Sequence, residues 1–182
     1  MPAWVNLANL FTFARLAMVP FVLRSIVDGR HVLALTLFFL AALTDVIDGA
    51  LARGPSGATR LGAYLDPIAD KCLMSGVFLA LGAAEIVPWW FVLVVFGRDL
   101  FILVGALAIM ALTKVRQLPP SRWGKLSTFV QIVTAISWMV RNAWPTAVLV
   151  AISSAMLWIC ATFTLASGLD YARRGVHIFR AR

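Results

Sequence analysis

Asp45-Val46-Ile47-Asp48-Gly49-Ala50-Leu51-Ala52-Arg53, then eight residues, then Gly62-Ala63-Tyr64-Leu65-Asp66-Pro67-Ile68-Ala69-Asp70: this stretch decides how the chain is read. It places four carboxylates inside two otherwise apolar runs, 32–53 and 62–84. A carboxylate at the centre of a membrane-spanning helix costs about 2.5 to 3.5 kcal/mol on insertion scales. Several of them together need a wet cavity or a compensating cation, and such groups are functional by default. Asp45 and Asp48 are i, i+3; Asp66 and Asp70 are i, i+4; each pair shares one helix face. Counting back from the short loop between the runs, Asp48 and Asp66 lie roughly 6 to 8 Å deep, and Asp45 and Asp70 roughly 12 Å, at 1.5 Å per residue. The four therefore meet at matched depths. Arg53 and Lys71 cannot neutralise all four. Two divalent cations, Mg²⁺ or Mn²⁺, would balance the charge, because hard cations take carboxylate oxygens and keep room for phosphate oxygens. A two-metal clamp suits in-line displacement at phosphorus. Buried salt bridges between helices are the plainer alternative, but these two helices carry too few cations for it. Gly49, Ala50, Ala52 and Gly62 leave space for a bulky polar group, or serve ordinary small-residue helix packing.

The rest of the chain fits a membrane setting. Of 182 residues, 62% are hydrophobic and 13% charged, against about 25% charged in soluble domains, so apolar surface must be absorbed by a bilayer. Six runs are long enough to span it: 8–27, 32–53, 62–84, 87–113, 125–143 and 145–171. Turn signals separate them at Asp28-Gly29-Arg30, Gly54-Pro55-Ser56-Gly57, Glu85 to Pro88, Pro119-Pro120-Ser121 and Arg141-Asn142. The expected fold is an all-α integral-membrane bundle of six transmembrane helices, one domain over 1–182, with no cleaved signal peptide, since Arg15 interrupts the first run.

Arg53, Arg60, Lys114, Arg116, Arg122, Lys125, Arg173, Arg174, Arg180 and Arg182 fall on one side of this topology, and only Arg24, Arg30 and Arg141 on the other. The positive-inside rule then puts both termini and the four aspartates on the cytoplasmic side of a bacterial plasma membrane or an organellar inner membrane. The net charge of +8 is sparse and clustered, which suits anionic lipid headgroups and argues against a nucleic-acid partner. Trp4, Trp89, Trp90, Trp123 and Trp144 sit near span ends and read as interface anchors. Cys72 and Cys160 read as small buried hydrophobes, and His31 and His177 as interfacial groups.

The quoted stretch resembles the signature of the CDP-alcohol phosphatidyltransferase family, D-x2-D-G-x2-A-R-x8-G-x3-D-x3-D, at every fixed position and gap. The resemblance implies a six-helix membrane enzyme, commonly a homodimer, that transfers a phosphatidyl group from CDP-diacylglycerol to an alcohol and releases CMP. It implies two divalent metal ions on Asp45, Asp48, Asp66 and Asp70, with Asp70 also the general base. It implies that Gly49, Ala52, Arg53 and Gly62 surround the nucleotide of the donor. Asn9-Leu10-Phe11-Thr12-Phe13-Ala14-Arg15 is similar to the family's N-terminal Asn-x-x-Thr-x-x-Arg run, which adds Asn9, Thr12 and Arg15 to the donor site. Arg15 falls at a depth similar to that of Asp45, where a buried arginine near the metal site pairs with a phosphate or a carboxylate; a snorkelling arginine is the alternative.

Arg98-Asp99, and Pro119 through Gln131, look like the branch of the family that makes phosphatidylglycerophosphate or cardiolipin. There a cationic pocket takes the acceptor's phosphate, a role the resemblance carries to Arg98 and Lys125. Arg-Asp in place of Arg-Glu, and the absence of a cation between Leu103 and Met110, tilt the acceptor toward phosphatidylglycerol rather than glycerol 3-phosphate. An interhelical structural pair is the alternative for Arg98 and Asp99. Two rivals fit less well. Aromatic prenyltransferases carry their aspartate motifs far apart in longer chains. A membrane cation transporter would place its acids near the midplane on broken helices.

Overall fold

The computed structural model describes the backbone of residues 7–52, 60–112 and 121–180, and within these the side chains of 10–44, 68–111 and 121–176. The described residues form six α-helices and no strand: α1 Leu7–Val27, α2 His31–Ala52, α3 Arg60–Ala83, α4 Trp89–Leu112, α5 Arg122–Ala143 and α6 Ala147–Arg180. Each coincides with one of the six apolar runs to within a few residues, except that α6 continues past its run to Arg180. An i, i+4 ion pair, Arg174 Nε to Asp170 Oδ2 at 3.0 Å, lies where that helix leaves its apolar stretch, and such pairs support a solvated helix end.

The helix ends follow from local chemistry. At the end of α1, Gly29 N–H donates to the Ile26 carbonyl (3.1 Å) and Arg30 N–H to the Ser25 carbonyl (2.9 Å), with Gly29 at φ +71°. This is a Schellman cap with glycine in the left-handed position. The end of α3 repeats it: Glu85 N–H donates to Gly82 (3.0 Å) and Ile86 N–H to Leu81 (2.9 Å), but here Glu85 takes the left-handed conformation, at φ 56°. Pro88 follows, which prevents the helix from continuing. Ser121 caps α5 by accepting the Gly124 N–H at 2.8 Å. Thr146 does the same for α6, accepting from Leu149 N–H at 3.3 Å.

The chain divides into two compact units, Met1–Ile86 and Val87–Arg182. In the first, α1 packs against both α2 and α3. Its core is Val19, Val22 and Ile26 of α1, Ala34, Leu35, Phe38 and Ala41 of α2, and Leu73, Val77, Phe78 and Leu81 of α3. Gly76 lets α3 approach α1 closely: a Cβ there would meet Leu23 Cδ1 at 3.0 Å. In the second unit α6 is central and packs against α4 and α5. Its core mixes Val92, Val95, Ile109, Ala135, Met139 and Leu157 with buried Ser127, Gln131, Thr134, Ser153, Thr164 and Ser167.

Among the described residues three helices, over Leu10–Val27, Trp89–Ala111 and Ala147–Val176, are long and apolar enough to cross a membrane. Their outward faces carry large apolar side chains, among them Phe21, Leu93, Phe101, Leu107 and Leu165, a surface that water disfavours and lipid accepts. Apolar sequence therefore does not dictate burial inside the protein. Cys160 is buried as expected, but Cys72 is exposed on α3. Two of the tryptophans read as interface anchors pack on α6: Trp90 on Trp158 (centroids 5.2 Å apart) and Trp123 on Phe163 (6.2 Å).

Candidate active site

The first unit carries the acidic signature. α2 is helical through Asp45, Asp48, Gly49 and Ala52, and α3 through Gly62, Asp66 and Asp70, so both aspartate pairs keep the one-face spacing read from the sequence. The side chains of these residues other than Asp70, that of Asn9, and the whole of Arg53 lie outside the described residues. Among the described residues no group of three or more His, Cys, Asp or Glu converges. The donor set that the two helices carry is four carboxylates, which is hard-cation chemistry.

The described part of this site is an ion pair. Arg15, in the interior of α1, is 0% exposed, and its Nη1 donates to Asp70 Oδ1 at 2.7 Å across 55 residues of sequence. A fully buried guanidinium needs a paired anion, because its desolvation is otherwise uncompensated. Arg15 does not snorkel to the interface. Thr12, one turn before it on α1, is also buried. Asp70 is half-exposed, at 50%, so its carboxylate is held from one side by Arg15 while part of it stays accessible. The sequence reading put Arg15 near the donor; the structure adds a direct contact with the residue expected to act as base.

The second unit holds a different arrangement around Arg98 of α4. The Arg98 side chain is 8% exposed and that of Asp99 12%. Arg98 Nη1 donates to Asp99 Oδ1 at 2.7 Å, and Nη2 donates to Ser167 Oγ of α6. Its Nε is buried and has no hydrogen-bond partner among the described residues. A guanidinium has five N–H donors; with Asp99 and Ser167 each taking one, donor capacity remains for an anion.

The start of α5 comes close to this group. A Cβ on Gly124 would lie 3.3 Å from Ser121 Oγ, 3.3 Å from the Tyr171 ring and 3.5 Å from Arg98 Nη2, so only glycine lets the helix N-terminus sit there without displacing a neighbour. Tyr171 of α6 accepts the Ser121 backbone N–H at 3.4 Å. A helix N-terminus beside a buried cation favours an anion from both sides. Lys125 follows Gly124 and is exposed.

Ser121, Ser167 and Tyr171 were missed by the sequence reading. A signal was present: Thr164, Ser167 and Tyr171 recur at i, i+3 and i+7 on α6, as Ser127, Gln131 and Thr134 do on α5 at i, i+4 and i+7. The two stripes meet, with Ser127 Oγ 3.5 Å from Thr164 Oγ1 and Gln131 Nε2 donating to the same Thr164 oxygen at 3.4 Å.

Comparison with known proteins agrees with the signature. The family model described as CDP-alcohol phosphatidyltransferase matches residues 5–166. A Mycobacterium tuberculosis (strain ATCC 25618 / H37Rv) protein named probable phosphatidylglycerophosphate synthase is 37% identical over 180 residues, covering 94% of this chain and 82% of the relative. The Bacillus subtilis (strain 168) CDP-diacylglycerol--glycerol-3-phosphate 3-phosphatidyltransferase is 30% identical over 181 residues, covering 91% and 93%. A Drosophila melanogaster protein named probable cardiolipin synthase (CMP-forming) is 31% identical over 146 residues, covering 71% of this chain and 45% of the relative. The chain is an enzyme of the CDP-alcohol phosphatidyltransferase family.

Proposed function

We propose that this enzyme transfers the phosphatidyl group of CDP-diacylglycerol to glycerol 3-phosphate. The observation that carries the acceptor reading is the buried Arg98, with donor capacity to spare, beside the N-terminus of α5. This is a setting for a phosphate group, and the relatives matched along most of their length carry glycerol 3-phosphate or phosphatidylglycerophosphate in their names. Asp45, Asp48, Asp66 and Asp70 would hold two divalent ions, Mg²⁺ or Mn²⁺, which supply Lewis-acid stabilisation of the phosphate oxygens when bound. Asn9, Thr12, Arg15, Gly49, Ala52, Arg53 and Gly62 would bind the donor.

In the reaction the acceptor hydroxyl oxygen forms a bond to the phosphorus bearing diacylglycerol. The bond from that phosphorus to the bridging oxygen breaks, and CMP leaves with the electron pair. Asp70 accepts the hydroxyl proton, a task that needs hydrogen-bond reach and an oriented carboxylate; the 2.7 Å contact with Arg15 supports the second. Arg98 holds the acceptor phosphate, with Lys125, the neighbour in sequence of Gly124, at the start of α5.

A second acceptor, phosphatidylglycerol, is favoured by one observation. Asp99 pairs with Arg98 and reduces its net charge, which suits the single charge of a phosphodiester better than the near-dianion of a phosphomonoester. We further propose that all six helices cross the bilayer, that the termini and acidic site face the cytoplasm, and that the chain works as one catalytic domain in a homodimer. The cation distribution in the sequence supports the sidedness.

The test is CMP release by purified protein in detergent with CDP-diacylglycerol and Mg²⁺, each acceptor supplied separately. Release with glycerol 3-phosphate alone supports the first reading, and release with phosphatidylglycerol alone selects the second. Chelation of divalent ions should abolish either activity, and activity that survives a chelator would remove the metal assignment.

A further inference from the structure

The acceptor site as read from the sequence draws on α4 and α5. The geometry of the second unit points to α6 as the element that sets its shape, and we propose that Ser167 and Tyr171 are positioning residues for acceptor binding. This rests on the reading of Arg98 as the residue that holds the acceptor phosphate.

An arginine side chain is long and flexible, and it recognises phosphate well only when its planar fork is held in place. Asp99, the next residue on the same helix, cannot fix Arg98 relative to α5. Ser167, 69 residues away on α6, does so by accepting from Nη2. The α6 backbone also supports the aliphatic stem: a Cβ on Gly168 would lie 3.7 Å from Arg98 Cγ. One turn further along α6, Tyr171 touches the other wall. Its phenol oxygen accepts the Ser121 N–H, and its ring lies against Gly124.

One face of α6 thus holds both the cation and the helix N-terminus between which a phosphate would sit. The backbone N–H groups of Arg122 and Trp123, in the first turn of α5, lack partners within their own helix, as first-turn donors do. Their distance from Arg98 depends on the seating of Ser121 and Gly124 against Tyr171. Loss of the Ser167 hydroxyl frees the Arg98 fork, and loss of the Tyr171 hydroxyl loosens the α5 start. Neither change removes a charge.

The plainer role for these residues is interhelical adhesion, since buried hydroxyls join helices in membranes. The two roles differ in what they change. Adhesion affects thermal stability and the kinetics of both substrates together. Positioning raises the acceptor KM and leaves the donor KM in place, whatever the loss of a buried hydrogen bond does to stability.

The experiment measures KM for donor and for acceptor, and the melting temperature in detergent, for wild type, Arg98→Ala, Ser167→Ala, Ser167→Thr and Tyr171→Phe. Ser167→Ala should raise the acceptor KM about tenfold, the scale of one lost hydrogen bond to a charged group, with the donor KM unchanged, even though losing a buried hydrogen bond lowers the melting temperature. Ser167→Thr, which keeps the hydroxyl, should restore most of it. Tyr171→Phe should give a smaller rise, about threefold, for its longer, neutral bond. If Arg98→Ala leaves the acceptor KM unchanged, the acceptor-site reading itself is wrong. If Arg98→Ala raises it while Ser167→Ala and Tyr171→Phe do not, the site stands and the α6 role is overturned. A joint rise in both KM values with a lower melting temperature also overturns it, in favour of adhesion.

Discussion

The two units differ in the polar groups they place in apolar helices. In α1–α3 the sequence carries full charges, four aspartates on two helices. The described part shows a buried arginine paired with one of them, along with two buried hydroxyls, Thr12 and Ser25. In α4–α6 the polar groups are mostly neutral hydroxyls and an amide, Ser127, Gln131, Thr134, Thr164 and Ser167, with one guanidinium at their end. Charges in an apolar setting are costly unless compensated, and they are kept where chemistry needs them. Neutral hydroxyls cost less and can orient a neighbour without adding charge. Under the proposed function this contrast is a division of labour: the first unit would carry donor, metal and proton transfer, and the second would recognise the acceptor.

The most severe way to break this contrast is Asp70→Asn. It removes the carboxylate that Arg15 orients, and CMP release should fall by about 10²- to 10⁴-fold, the range for loss of a general base, while part of the donor binding survives. Wild-type-like release would end the assignment of Asp70 as base. Arg98→Ala is the matching probe of the second unit. Loss of a charge-assisted contact should raise the acceptor KM about ten- to a hundredfold and leave the donor KM in place. An equal rise in both would erase the distinction between the units.

Packing offers a milder test. Gly76→Val pushes a branched side chain into Leu23 of α1 and should destabilise the first unit by about 1 to 3 kcal/mol, the usual cost of overpacking, read as a lower unfolding temperature in detergent. The smallest effect belongs to the two Schellman caps. Glu85 occupies the left-handed position that Gly29 fills at the end of α1. Glu85→Gly should therefore stabilise by about 1 kcal/mol, and Gly29→Ala destabilise by a similar amount. A destabilised Glu85→Gly would mean that the Glu85 side chain makes a contact outweighing its backbone strain.

The same contrast explains what could be read from the sequence. Asp45, Asp48, Asp66 and Asp70 stand out in the sequence because each is a carboxylate in an apolar run, and their helical spacing lies within two adjacent segments. The six helices are legible because apolar length and Gly/Pro punctuation are local properties. The Arg15–Asp70 contact and the Arg98–Ser167 contact are not legible in the same way. They depend on which helix faces which, across 55 and 69 residues, and a serine in an apolar helix carries no signal of its partner. Cys72 was misjudged for a related reason: an apolar run does not say which of its faces is covered, and Cys72 is exposed on α3.

The division of labour is tested most directly by CMP release from purified wild-type and Arg98→Ala protein, with donor varied at saturating acceptor and then acceptor varied at saturating donor. It predicts an acceptor KM raised at least about tenfold in the variant, with the donor KM unchanged. A raised donor KM with an unchanged acceptor KM would contradict it and place Arg98 on the donor side of the reaction.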